Sequence, residues 1–111
     1  MINFDINDQH SFMKLEIIEA LRMVIDPELG INVIDMGLIY SVAINEPEKQ
    51  IVVEMTLSSK YCPMGESILL SVKNCLEFNF KEFEAHVELV WEPAWSYDKI
   101  SKEGKNLLSN N

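Results

Sequence analysis

The stretch IVVEMTLSSKYCPMGES, residues 51–67, decides the fold. Ile51 to Leu57 is an apolar, β-branched run and reads as a strand. Residues 64–78 read as a helix, with Ile68, Val72, Cys75 and Leu76 on one face and Lys73, Asn74 and Glu77 outside it. A further apolar run, AHVELVW (85–91), follows as a strand. Two strands that flank a helix should lie parallel, joined by a right-handed crossover. Cys62 stands at the mouth of that helix, directly before Pro63.

Upstream, LIYSVAI (38–44) reads as a strand, and the polar turn NEPEKQ (45–50) joins it to the 51–57 strand as an antiparallel hairpin. The segment DPELGINVIDMG (26–37) carries one Pro, two Gly, one Asn and two Asp, so it reads as a structured loop. A first helix is expected from near Ser11, a suitable N-cap, with Leu15, Ile18, Leu21 and Ile25 as its apolar face. Pro27 should end it by disfavouring the helical conformation at Asp26. Downstream, EPAWSYDK (92–99) reads as a loop. A last helix follows Ser101, weakened at Gly104 by about 1 kcal/mol relative to Ala. The order α-β-β-α-β-α predicts a two-layer α/β domain with a small mixed sheet. Residues 1–10 read as a flexible lead-in and 11–111 as one domain; strand order does not follow from the pattern.

The chain of 111 residues fits one domain, large enough to bury a core without disulfides. Eighteen acids against nine bases give a net charge of −9, which argues against nucleic acid and against an anionic membrane. The polar, acidic start MINFDINDQH does not read as a signal peptide, and no stretch is apolar for long enough to span a bilayer. Two cysteines without an export signal point to free thiols in a reducing cytoplasm.

The pattern makes Cys62 the N-cap of the 64–78 helix and Pro63 its first residue, where a missing N–H costs nothing. The helix dipole and Lys60 would then favour a thiolate, and Gly65 would leave room beside the sulfur. Cysteine caps a helix poorly, which favours a functional thiolate over a plain cap. Cys75, on the apolar face, reads as core. One thiolate cannot hold an iron–sulfur cluster or a metal ion alone. The remaining ligands would come from this chain, from a second copy or from a partner. Asp26 and Glu28 are candidates, although sequence chemistry alone favours a polar turn around Pro27. Ser58 and Ser59 read as solvated loop hydroxyls. His10 and His86 have no second ligand at metal spacing. No nucleophile elbow, Walker loop, dinucleotide fingerprint or zinc-protease motif occurs. No histidine lies near Cys62 in sequence to act as its base, and no second cysteine makes a CxxC pair, so an enzyme is not indicated.

Three segments in order resemble one known family. VIDPELGINVIDMGLIY (24–40), MTLSSKYCPMG (55–65) and VELVWEPAWSYDKISKEGKNLL (87–108) are similar to the signatures of the MIP18 family, also called DUF59, which includes SufT- and PaaD-like proteins. The resemblance covers residues 14 to 108 or nearly so. It departs from the family pattern at Ser58 and Ser59, where threonines are common, at Lys60–Tyr61, at Ala94 and at Gly104. It implies an iron–sulfur-assembly-type α/β fold and a role as an auxiliary factor that helps load clusters onto client apoproteins. Carried over by position, it implies a site of Asp26, Glu28 and Cys62, supported by Ser58, Ser59, Pro63 and Gly65. The implied cargo is iron or a transient iron–sulfur cluster. The implied partners are scaffold or carrier proteins and client apoproteins, and a homodimer would pair two Cys62 thiolates. The alternative within the family is an adaptor that binds no metal, either PaaD-like in a multicomponent oxygenase system or bridging scaffold and client.

Overall fold

The computed structural model describes residues 11–61 and 63–109. The expected lead-in (1–10) and Cys62 itself lie outside the described residues. The chain forms α1 (Ser11–Leu21), β1 (Ile25–Asp26), β2 (Ile31–Asn32), β3 (Ile39–Asn45), β4 (Gln50–Met55), α2 (Gly65–Asn79), β5 (Glu84–Leu89), a 3-10 turn (Tyr97–Lys99) and α3 (Lys102–Ser109).

The main sheet has the order β3-β4-β5. β3 pairs antiparallel with β4 and β5 pairs parallel with it, so the mixed sheet expected from the β-α-β unit is present. β4 alternates as a half-buried strand should, with Ile51, Val53 and Met55 in the core and Gln50, Val52 and Glu54 on the other side. α2 packs against β5 and α1, and α1 also meets β3. Ile68, Val72 and Leu76 give α2 a buried stripe at helical spacing. Each such side chain contributes about 1.5–3 kcal/mol by leaving water. Cys75 is half-buried beside this stripe, its Sγ 3.3 Å from the Ala20 carbonyl of α1, consistent with a packing role.

Three expectations are corrected. First, α1 stops at Leu21, five residues before Asp26. Its buried residues are Ile17 and Leu21, whereas Leu15 is 45 % exposed and Ile25, outside the helix, is 50 % exposed. Val24 continues the buried side in extended form, accepting from the Val33 N–H at 2.9 Å. Second, the 26–37 loop contains strands. Ile25–Asp26 and Ile31–Asn32 form a two-residue antiparallel ladder, and the turn between them closes through Gly30 at φ +71°. Third, α2 begins at Gly65, not at Pro63. Pro63 and Met64 lie in a turn ahead of the helix, and Met64, at φ −99° and ψ 8°, is its N-cap. Pro63 therefore shapes a turn ahead of the helix, and the first described helical bond runs from the Ile68 N–H to the Met64 carbonyl at 3.0 Å.

The C-terminal segment is fastened to the 32–40 segment. Trp95 Nε1 donates to the Met36 carbonyl at 2.7 Å and Tyr40 Oη to the Pro93 carbonyl at 2.7 Å. Asp35 is the hub. Its carboxylate accepts from Asn32 Nδ2 at 2.7 Å, Ser101 Oγ at 2.9 Å and Arg22 Nη1 at 3.0 Å. The last helix follows Ser101, as expected, and Ser101 caps it by accepting the Gly104 N–H at 3.0 Å. Gly104 is needed for close approach: a Cβ there would lie 2.7 Å from Ile100 Cγ2 and 3.3 Å from the Asp35 carbonyl oxygen. Among the described residues no helix is long and apolar enough to cross a membrane.

Candidate functional site

The β1–β2 turn and the segment that follows β4 come together, and they carry three of the expected residues. Asp26 starts the turn. Its Oδ1 accepts the Glu28 N–H at 2.8 Å, an Asx-turn that the Pro27 ring, lacking an N–H, leaves open at the residue between. The Asp26 carbonyl accepts the Gly30 N–H at 2.8 Å and closes the turn. Glu28 then reaches across to Ser58, whose Oγ donates to Glu28 Oε2 at 3.2 Å. Asp26, Glu28 and Ser58 thus form one linked group, although thirty residues separate Glu28 from Ser58.

The two carboxylates differ in setting. Glu28 is exposed, whereas Asp26 is 1 % exposed and its Oδ2 is buried with no hydrogen-bond partner among the described residues. Burial pushes the Asp26 carboxyl above its ordinary value. The Glu28 and Leu29 N–H groups pull it back, and the Glu28 charge raises it further.

The other expected residues are placed differently. Ser59 Oγ accepts the Tyr61 N–H at 3.1 Å and so serves its own turn. Lys60 Nζ sits 5.7 Å from the centre of the Trp91 ring, a cation–π contact. Gly65 is buried as the first residue of α2, and Pro63 is exposed before it. With Pro63 outside the helix, the N-cap of α2 is Met64 rather than Cys62, so the argument that placed Cys62 on the helix dipole does not carry over.

Two features were missed. Thr56 is fully buried, and its Oγ1 also has no hydrogen-bond partner among the described residues. Its only sign in the sequence is a hydroxyl inside an apolar run. Exposed apolar side chains also flank the group: Ile25 and Leu29 on the first segment, Tyr61 (91 % exposed) and Met64 on the second.

Chemically, the group offers two carboxylates, one of them with a free buried oxygen, at the segment that leads to Cys62. Among the described residues no three His, Cys, Asp or Glu side chains are grouped to hold a metal ion. Asp26 and Glu28 are two carboxylates of the hard-donor kind, and two donors fall short of the four ligands of a closed site.

Residues 14–89 match the family model described as iron-sulfur cluster assembly protein. The chain is 42 % identical over 86 residues to the Fe-S protein maturation auxiliary factor SufT of Staphylococcus aureus, covering 78 % of this chain and 97 % of the relative. It is 37 % identical over 96 residues to the Fe-S protein maturation auxiliary factor YitW of Bacillus subtilis, covering 86 % and 93 %. A crystal structure of a DUF59 domain of unknown function from Bacillus anthracis superposes with a TM-score of 0.84 at 36 % identity, over 90 % of this chain and 94 % of that one. The solution structure of Rv1466 from Mycobacterium tuberculosis, a protein associated with Fe-S complex assembly and repair, matches with a TM-score of 0.51 at 30 % identity over 99 % and 96 %. With its fold, its 24–40 and 55–65 motifs and more than half of its length matched, the chain belongs to the iron–sulfur cluster assembly protein family, DUF59 or MIP18.

Proposed function

We propose that this chain is a non-catalytic auxiliary factor in the maturation of iron–sulfur proteins, acting in the cytoplasm. It carries iron or a cluster transiently on Cys62, with Asp26 and Glu28 beside it, and delivers this cargo to client apoproteins. The observation that carries the reading is the Ser58–Glu28 hydrogen bond, which ties the acidic turn to the segment leading into Cys62. The names of the relatives, Fe-S protein maturation auxiliary factors, support the same role.

The chemistry favours transfer over storage. A thiolate is the form that ligates iron, and carboxylates are hard ligands that bind ferrous iron without locking it. Three donors leave positions open, so the cysteines of a client can enter and displace the carrier. The exposed Ile25, Leu29, Tyr61 and Met64 offer an apolar rim against which a scaffold, a client or a second copy can seat.

Anaerobic reconstitution with ferrous iron and sulfide tests this reading. Visible absorbance of a bound cluster is expected in the natural protein, weakened in Asp26→Asn and Glu28→Gln and lost in Cys62→Ser. No absorbance in any of them, together with client capture that survives Cys62→Ser, would establish an adaptor that binds no metal.

A further inference from the structure

β5 is an edge strand of the main sheet, and the fold covers its free side only in part. Successive residues of a strand turn their backbone N–H and C=O groups to opposite sides. The Glu84 N–H donates to the Lys49 carbonyl at 2.9 Å and the Val90 N–H to the Met55 carbonyl at 2.8 Å, so the even-numbered residues of β5 face β4. The backbone groups of Ala85, Val87 and Leu89 therefore face the free side. α2 closes that side at Ala85. Glu77 Oε2 accepts the Ala85 N–H at 3.0 Å, and Lys73 Nζ donates to the Ala85 carbonyl at 3.0 Å and to Glu77 Oε2 at 2.7 Å. At Val87 and Leu89 the same groups have no partner among the described residues, which leaves a template for a further strand.

The side chains beside this edge show which strand it suits. Glu54 of β4 and Glu88 of β5 are register partners on the outer face of the sheet, so two like charges lie side by side. Ser41 Oγ donates to Glu54 Oε1 at 2.8 Å, but neither carboxylate has an ion-pair partner among the described residues. A cation at the next strand position, beyond Glu88, would relieve this repulsion. On the inner face Val87 is half-buried and Leu89 is 37 % exposed, an apolar surface left open at the edge. We propose that β5 takes up an extended segment of a protein partner, in which lysine or arginine alternates with apolar residues, as a further strand of the main sheet. The backbone of Val87 and Leu89 holds that segment, Glu88 and Glu54 select its basic side chains, and Leu89 meets its apolar ones. A second copy fits worse, because its own Glu84 and Glu88 would meet these acids, between two chains of net charge −9 each. The surface is separate from the carboxylates of the cargo site, and the proposal does not depend on iron.

The test is amide hydrogen exchange, read by NMR on the full chain with and without a probe peptide. The probe is a short synthetic peptide in which lysine alternates with valine; its control carries glutamate in place of lysine. Without peptide, the His86 and Glu88 amides, bonded to β4, should exchange slowly, and those of Val87 and Leu89 quickly. The lysine peptide should slow exchange at Val87 and Leu89, and the glutamate peptide should not. Glu88→Lys should weaken binding of the lysine peptide about tenfold. Leu89→Pro removes an N–H on the free side without touching the ladder to β4, and it should abolish the protection of Val87. Glu88→Lys, a surface exchange, keeps the test standing if Leu89→Pro does not fold. Peptide binding that leaves Val87 and Leu89 exchanging quickly would be plain charge attraction and would overturn the proposal. Equal binding of the two peptides would overturn it too. Slow exchange at Val87 and Leu89 in the peptide-free protein would mean that the edge is already filled, by the chain's own start or by a second copy, and no site for a partner would remain.

Discussion

Ser58 Oγ donates a hydrogen bond of 3.2 Å to Glu28 Oε2, and this contact joins a turn near the start of the chain to the segment ahead of Cys62. It is exposed and modest in energy, so its importance is positional. Ser58→Ala should lower the stability of the iron-free protein by no more than about 1 kcal/mol. Ser58→Thr, which keeps the hydroxyl, should be neutral. Urea denaturation of the two variants checks this; a loss of the size seen for a core residue would mean that the bond supports more of the fold than one contact between loops.

Asp26 should make stability fall with rising pH. Burial raises its carboxyl above the value it has in the unfolded chain, so the folded protein holds the proton more tightly. The resulting stabilisation is fully present below the unfolded value, and it is lost as pH climbs through the raised folded value. Asp26→Asn keeps the acceptor for the Glu28 N–H and removes the charge. Denaturation at pH 7 should show the variant to be more stable than the natural protein, with the difference shrinking towards pH 4. A variant that is less stable at pH 7 would show that the charged form of Asp26 is met by a partner in the folded state.

Asp35 should act in the opposite sense. Its burial would raise the carboxyl, yet donors from Asn32, Ser101 and Arg22 together hold it below the ordinary carboxylate value. The stability it contributes is present above its unfolded value and is lost as pH falls through the lowered folded value. Asp35→Ala should cost about 2–3 kcal/mol at neutral pH by leaving those donors unmatched. Part of the loss should disappear when the comparison is made in acid. Denaturant titrations of both proteins at the two pH values measure it.

The glycines at positive φ should separate cleanly. Gly37 (φ +75°) lies against the backbone of Lys99, and a Cβ there would strike the Lys99 carbonyl. Gly30 (φ +71°) has nothing within 4 Å of the same position. Gly30→Ala should therefore cost about 1–2 kcal/mol, the strain of a left-handed residue alone. Gly37→Ala should cost clearly more and loosen the C-terminal segment. Thermal melts rank the pair, and equal losses would contradict the close approach.

The parts of the fold that were legible in the sequence are those with a strong period. β4 alternates between core and surface, and α2 repeats every four residues at Ile68, Val72 and Leu76, so both were placed to within a few residues. α1 was misread because apolar residues crowd both sides of it: Leu15 and Ile18 look as suitable for burial as Ile17, and packing against α2 and β3 decides between them. The β1–β2 ladder is two residues long, too short to show alternation inside a segment rich in turn residues. At the mouth of α2, Pro63 suits both the first position of a helix and a turn just ahead of it, and the local sequence does not separate these. For the site, the resemblance supplied Asp26, Glu28 and Ser58 as neighbours, because nothing local links positions thirty residues apart. Thr56 was invisible for a different reason: a hydroxyl without a partner is a property of packing.

The central claim is that Cys62, with the acidic turn beside it, carries iron or a cluster to clients. It is tested most directly in cells where the natural chain or Cys62→Ser is the sole copy, grown under iron limitation. The measurement is the specific activity of an iron–sulfur dehydratase in anaerobic extracts, with equal amounts of each protein verified. The account predicts lower dehydratase activity with Cys62→Ser, restored when iron and sulfide are supplied to the extract. Equal activity with the two proteins would contradict it.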